Sequence, residues 1–294
     1  MNDARGADWA PSCSLAALEA RGRILRQVRD FFHDRGVLEV QTGVLGAATV
    51  TEPAVESVAV PGLGYLQTSP EYQMKRLLAA GAPSIFQIGP VFRAGEAGRR
   101  HNPEFVMLEW YRLGFDHEAL MAEVAALVDV VLGPAPCRTL RYADVVARAR
   151  VDVPDGLDPR EAEDLRFANG LDTLGEGRWF VTDYPADQAA LARLTAQDAS
   201  VAARFELVVD GLELANGYWE LGDAEALAAR FEADRAARAR RGHTLPAVDQ
   251  RLLAAMRAGL PACAGVALGF DRLLMLALGA RSLAEVMAFP IDRA

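Results

Sequence analysis

VFRAGEAGRRHNPEFVMLEWY, residues 91–111, decides the reading of this chain. It places Arg93 where an apolar strand ends, crosses a short polar loop, and returns through His101, Asn102 and Phe105 into a second strand carrying Glu109 and Tyr111. Strand alternation sends Glu109 and Tyr111 to the same face. The hairpin therefore offers a cation for phosphate charge, an imidazole that reaches outer phosphates and an amide that reads an adenine edge. Beyond these come a ring that stacks on a base, then a carboxylate and a phenol suited to a cationic substrate. It reads as a nucleotide hairpin.

Three other segments carry chemistry. GVALGFDRLLML, residues 265–276, sets glycines on an apolar strand before Asp271 and Arg272 open a helix. Guanidinium forks stabilise the charge that builds on an α-phosphate under attack, so Arg93 and Arg272 are the candidate catalytic cations. GLELANGYWEL, residues 211–221, holds Glu213 and Glu220 within an apolar strand pair, where unpaired carboxylates are costly. Glu213 suits Mg²⁺ bridging phosphates, and Glu220 suits an ammonium group or a second metal contact. Ser69, Pro70 and Glu71 make a good helix start, and equally a place where helix amides hold a substrate carboxylate while Glu71 takes an amine.

The 294 residues are 51% hydrophobic, ample for a large core. Lys and Arg number 31 against 40 Asp and Glu, a net charge of -9, with no basic run of the kind that binds nucleic acid, so stable tRNA binding is not expected. Cys13, Cys137 and Cys263 are too scattered for a disulfide framework or a zinc site and fit a reducing cytoplasm. Neither a signal peptide nor a membrane span is legible. There is no GxGxxG after a strand and no GxxxxGK[ST], so ATP would use neither a Rossmann crevice nor a P-loop.

Residues 1–12 read as a flexible tail and 13–294 as one catalytic domain. Ser14 caps an amphipathic helix that Gly36 stops. The Asp-, Gly- and Pro-rich stretch 151–178 reads as a variable helical insertion. Strands joined by loops and hairpins outnumber strand-helix-strand units, which predicts an α+β fold with a largely antiparallel sheet and helices packed on it.

From Arg23 onward the chain resembles the catalytic domain of lysyl-tRNA synthetases, class II aminoacyl-tRNA synthetases. TSPEYQMKRLL, RHNPEFVMLEWY, GLELANGYWEL and GVALGFDRLLMLALGA carry the likeness. Within that class it is most similar to the synthetase-like ligases that attach lysine, preferably (R)-β-lysine, to a lysine of elongation factor P. The resemblance implies a six-stranded antiparallel class II sheet flanked by helices, a homodimer built around motif 1, no anticodon-binding domain, and bent ATP with Mg²⁺. It places Arg93, Asn102, Glu213, Leu214, Gly269 and Arg272 at ATP, and Ser69, Pro70, Glu71, Tyr111 and Glu220 at the amino acid, with His101, Phe105 and Glu109 on matching positions. Ala267 stands where lysyl-tRNA synthetases usually have glycine, which implies a reshaped pocket around the α-amino group.

Two positions depart from the family pattern. Gly43 replaces the motif 1 proline, and the Arg-Asn-Glu of motif 2 reads Arg93-Ala94-Gly95, with the acid delayed to Glu96, which strand alternation aims away from the nucleotide. Rival readings are a compact lysyl-tRNA synthetase, a small-amine lysine ligase, or a catalytically inactive amino-acid-binding regulatory paralogue, the last supported only by the altered motif 2.

Overall fold

The computed structural model describes residues 8–294. The expected tail falls partly outside that range. Within it, Ala10 is buried and the Ser12 amide donates to the Ala288 carbonyl at 2.8 Å, so the chain is tied down before its first helix.

Helix α1 (Leu15–His33) leads through strand β1 (Leu38–Glu39) to a small sheet of β2 (Leu45–Gly46), β3 (Ala59–Val60) and β4 (Gly64–Leu66), then to α2 (Glu71–Ala79). The nucleotide hairpin follows as β5 (Ile85–Phe92) and β6 (Glu104–Leu113). Next come α3 (His117–Leu132), β7 (Cys137–Arg141), α4 (Tyr142–Val146), α5 (Pro159–Asp172), β8 (Arg178–Pro185), β9 (Val201–Val209) and β10 (Leu212–Trp219). The chain closes with α6 (Ala224–Arg240), α7 (Gln250–Gly259), β11 (Cys263–Gly269) and α8 (Phe270–Leu278).

Local chemistry explains the boundaries. Ser14 Oγ accepts the Ala17 amide at 3.2 Å and caps α1, whose Ala17, Ala20, Ile24, Val28 and Phe31 recur at helical spacing and are buried. Asp210 and Gly211, at φ 49° and 71°, turn β9 into β10 with the two positive angles that a two-residue hairpin turn uses. The α2 cap differs from the sequence expectation by one residue: Pro70 is the cap, while Ser69 Oγ accepts the Glu71 amide at 3.0 Å and donates to Glu109.

The large sheet runs β1-β5-β6-β11-β10-β9-β8-β7. Its six inner strands are antiparallel, as expected, but β1 and β7 extend the edges in parallel pairing, giving eight strands. Parallel neighbours cannot be joined by a tight hairpin. The stretch 142–177, which includes most of the expected insertion, is the crossover from β7 to β8 through α4 and α5. Gly170 of α5 approaches α4 so closely that a Cβ would lie 2.1 Å from the Val145 carbonyl oxygen.

Alternation along the strands divides the sheet. Leu108 and Trp110 of β6, Val266 and Leu268 of β11, and Phe205 and Leu207 of β9 join the core with α1, α3 and α8. Removing each such side chain from water contributes roughly 1.5 to 3 kcal/mol. Their neighbours Glu109, Tyr111, Gly265 and Ala267 line a cavity on the opposite face.

Candidate active site

The strand register builds the cavity floor. One row across the sheet reads Gln87, Glu109, Ala267, Asn216, Glu206, each opposite the next, so the Ala267 methyl sits between Glu109 and Asn216. The next row reads Ile85, Tyr111, Gly265, Tyr218, Arg204. Gly265 is required there: a Cβ would lie 2.3 Å from the Tyr111 ring and 2.5 Å from Glu220 Oε1. The cavity above has a volume of about 320 Å³.

One end gathers cations. Arg93 leaves the end of β5 with its guanidinium 5.2 Å from the Phe105 ring centroid, a cation–π contact that orients both. Arg272, in the first turn of α8, donates to the Glu213 carbonyl at 2.8 Å and lies 2.9 Å from His101 Nε2. Burial, followed by the Arg272 charge, lowers the His101 pKa and favours a neutral ring that accepts from Arg272. Gly269, at the α8 cap, leaves room for the Arg272 stem, which a Cβ would meet at 3.3 Å. Glu213 remains half-exposed beside them, with Oε2 3.7 Å from Arg272, and Leu214 forms part of the wall.

Glu96 corrects the sequence expectation. Gly95 adopts φ 79°, and this left-handed turn brings Glu96 back to the cavity wall, where it lies 3.7 Å from Arg93. Asn102 lines the same end, but both ends of its amide are engaged: Nδ2 donates to the Glu104 carbonyl at 2.6 Å and Oδ1 accepts the Ile291 amide at 3.0 Å. As placed, the amide fixes the hairpin against the C-terminal segment.

The other end gathers carboxylates around a residue that the sequence reading missed. Lys75, 2% exposed, places Nζ 2.6 Å from Glu71 Oε1 and 2.6 Å from Glu220 Oε2. Burial alone would discharge this lysine, but the two carboxylates outweigh it and hold the ammonium charged. Burial pushes Glu220 up to about 7 and Glu71 adds to the rise, against the pull of Lys75. Those two shifts oppose one another across a single ion pair. The contact with an ammonium held by two acids argues for the charged pair, which leaves a surplus negative charge. The sequence signal for Lys75 was slight: a lysine four residues after Glu71, on the stripe that Met74 and Leu78 bury.

Around this pair lie unsatisfied acceptors. Glu220 Oε1 and Asn216 Oδ1 are buried without hydrogen-bond partners among the described residues, over Gly265 and beside Ala267. Glu109 accepts from Ser69 Oγ and Tyr111 Oη, both at 2.7 Å, and burial with the nearby Glu71 charge pushes its pKa up to about 8. Glu220 was also offered as a metal contact. It is buried beside Lys75, while Glu213 is half-exposed beside Arg272.

Guanidinium groups on a hairpin and at a helix head, facing one cavity on a mainly antiparallel sheet, are the arrangement of a class II synthetase catalytic domain. The family model for class II tRNA synthetases (D, K and N) matches residues 3–293, and the chain belongs to that family. Its relatives within it are more particular. It is 43% identical to the elongation factor P (R)-β-lysine ligase of Vibrio cholerae serotype O1, over 98% of this chain and 99% of that one. It is 45% identical to the enzymes of that name from Salmonella dublin and Salmonella paratyphi B, with the same coverage.

Proposed function

We propose that this chain is a cytoplasmic ATP-dependent ligase that activates lysine, preferably (R)-β-lysine, as an aminoacyl-adenylate and transfers it to a lysine side chain of elongation factor P. The observation that carries the reading is the division of one cavity into a guanidinium end and a carboxylate end. Similarity over nearly the whole chain to ligases named for this reaction supports the substrate and partner.

The chain's own residues do their work by position and charge. The lysine carboxylate attacks the α-phosphate in line and pyrophosphate leaves; Arg93 and Arg272 meet the charge on the phosphoryl oxygens. His101 and Phe105 border the nucleotide, with Gly269 and Leu214 shaping its wall. Ser69 and Glu71 face the amino acid from the head of α2, which the buried Pro70 caps without lining the cavity, while Glu220, Tyr111 and Glu109 take its ammonium groups. No enzyme nucleophile is required. Glu213 fits Mg²⁺, since one accessible carboxylate beside the arginines is what an ion held mainly by phosphate and water needs. When bound, that ion neutralises charge between phosphates.

An apolar edge at Leu38, Val44 and Leu45, exposed on this chain, supports pairing as a homodimer. Pyrophosphate exchange with lysine isomers tests the activation step. Exchange dependent on lysine or β-lysine is expected, and none with either would reject it in favour of an amino-acid-binding protein.

A further inference from the structure

Glu52 belongs to none of the motifs that mark the site, yet it lines the same cavity, where it is exposed. Its loop, between β2 and β3, is anchored from α6. The Thr51 hydroxyl donates to Asp234 at 2.8 Å. Arg238, almost wholly buried, donates to the carbonyls of Glu52 at 3.1 Å and Val55 at 3.3 Å, and to the Glu56 carboxylate at 2.8 Å. The Ala94 amide donates to the Glu56 carbonyl at 2.8 Å, which ties this loop to the nucleotide hairpin. A buried guanidinium committed to loop carbonyls fixes where Glu52 points.

The other carboxylates of the cavity each have a charged or hydrogen-bonded neighbour. Glu71 and Glu220 share Lys75, Glu109 holds Ser69 and Tyr111, Asp271 holds Arg21, and Glu96 and Glu213 sit beside Arg93 and Arg272. Glu52 makes no side-chain hydrogen bond or ion pair among the described residues. The charges that face it are Arg204 of β9, Arg93 of the hairpin, Asp234 of α6 and Glu71 of α2. It shares the cavity with Glu71, at the amino-acid end, and Arg93, at the phosphate end.

We propose that Glu52 receives the acceptor: it binds the ammonium of the incoming lysine side chain and takes its first proton, giving the neutral amine that then attacks the adenylate carbonyl. This rests on the function proposed above. The amine nitrogen forms the new C–N bond, the C–O bond to phosphate breaks, and AMP leaves with the electron pair. Of the two protons the ammonium sheds, one goes to Glu52 and the second to the departing phosphate. The protein packed around the cavity disfavours the charged form and lifts the Glu52 pKa against the pull of Arg204 and Arg93, although the side chain is exposed, which makes it a better base than an ordinary carboxylate.

The test separates the two half-reactions in Glu52→Gln and Glu52→Asp. Pyrophosphate exchange reads activation. Single-turnover transfer from preformed adenylate, to elongation factor P and to Nα-acetyl-lysine amide, reads the second step from pH 6.5 to 9.5. For Glu52→Gln, transfer to both acceptors should fall by ~100-fold or more at pH 7 while exchange falls by ~3-fold at most. The transfer defect should shrink as pH rises toward the lysine's own pKa of about 10.4, and Glu52→Asp should recover part of the loss. Exchange falling as far as transfer, or transfer unaffected, would overturn the role of Glu52 alone. Failure of the parent to modify elongation factor P while it modifies the small amine would reject the partner and leave the Glu52 comparison readable. Failure of the parent with both amines would overturn both proposals.

Discussion

Lys75 and Glu220 form an ion pair at 2.6 Å with both side chains almost completely removed from water. The site thus contains an internal lysine held by one of the acids proposed to hold the substrate lysine. Lys75 sets the spacing of Glu71 and Glu220 and cancels part of their charge, so that an arriving ammonium meets a defined deficit rather than two repelling carboxylates. Breaking such a pair by removing one partner costs about 3 to 5 kcal/mol. Lys75→Met should therefore lower the melting temperature and, in protein still folded, raise the KM for lysine more than that for ATP. Equal changes in both constants would assign Lys75 to stability alone.

Gly265 makes a steric prediction. Gly265→Ala places a methyl where the Tyr111 ring and Glu220 Oε1 now lie, within 2.3 and 2.5 Å. Both groups contact the proposed amino-acid end, so exchange should fall by roughly 100-fold or more while the nucleotide end is untouched, since one misplaced ångström at such a site costs that much. ATP binding to the variant, followed by calorimetry, is the control. Activity near that of the parent would mean that the tyrosine and the glutamate are free to move.

Ala267 is the lone apolar side chain between Glu109 and Asn216 on the floor. A β-amino acid carries its ammonium one carbon further along than an α-amino acid. Ala267→Gly should then shift preference from β-lysine toward α-lysine by about 1 to 3 kcal/mol, or roughly 10- to 200-fold in relative kcat/KM. Exchange with each isomer, with melting temperature as a control, checks it. An unchanged isomer ratio would leave this methyl a packing group.

The Glu109 pKa, raised to about 8 by burial and by the Glu71 charge, gives a pH dependence. A substrate ammonium favours the ionised carboxylate, and below that pKa it must first displace a proton. The KM for lysine should accordingly fall as pH rises from 6.5 toward 8.5, by up to about tenfold per unit, and Glu109→Gln should flatten the profile. A KM that rises with pH in the parent would place the ammonium elsewhere.

Much of this was legible in the sequence, for a physical reason. Alternation along β6 sends Glu109 and Tyr111 to one face and Leu108 and Trp110 to the other, whereas Glu220 and Ala267 were grouped with them by the resemblance of their motifs. An extended piece near 37–40 was legible, but its place as the parallel edge strand β1 was not, because Leu38 and Glu39 are too few to show a period and pair through the tertiary contact with Ile85 and Phe86. Glu96 was misdirected because alternation was carried past the end of β5, into a turn that Gly95 reverses. Lys75 passed as a helix lysine, since only the fold reveals that its partner is Glu220, far along the chain. Glu52 was silent for the same reason: what fixes it, Arg238, is 186 residues away in the chain.

The central claim, acyl transfer to a protein lysine rather than to tRNA, is tested most directly by one competition. The enzyme is given ATP, labelled (R)-β-lysine, elongation factor P and bulk tRNA together, and base-stable label on protein is counted against base-labile label on RNA. Base-stable label on elongation factor P is expected, with tRNA near background. Label reaching tRNA at a matching rate, or exchange proceeding while elongation factor P stays unlabelled, would contradict it.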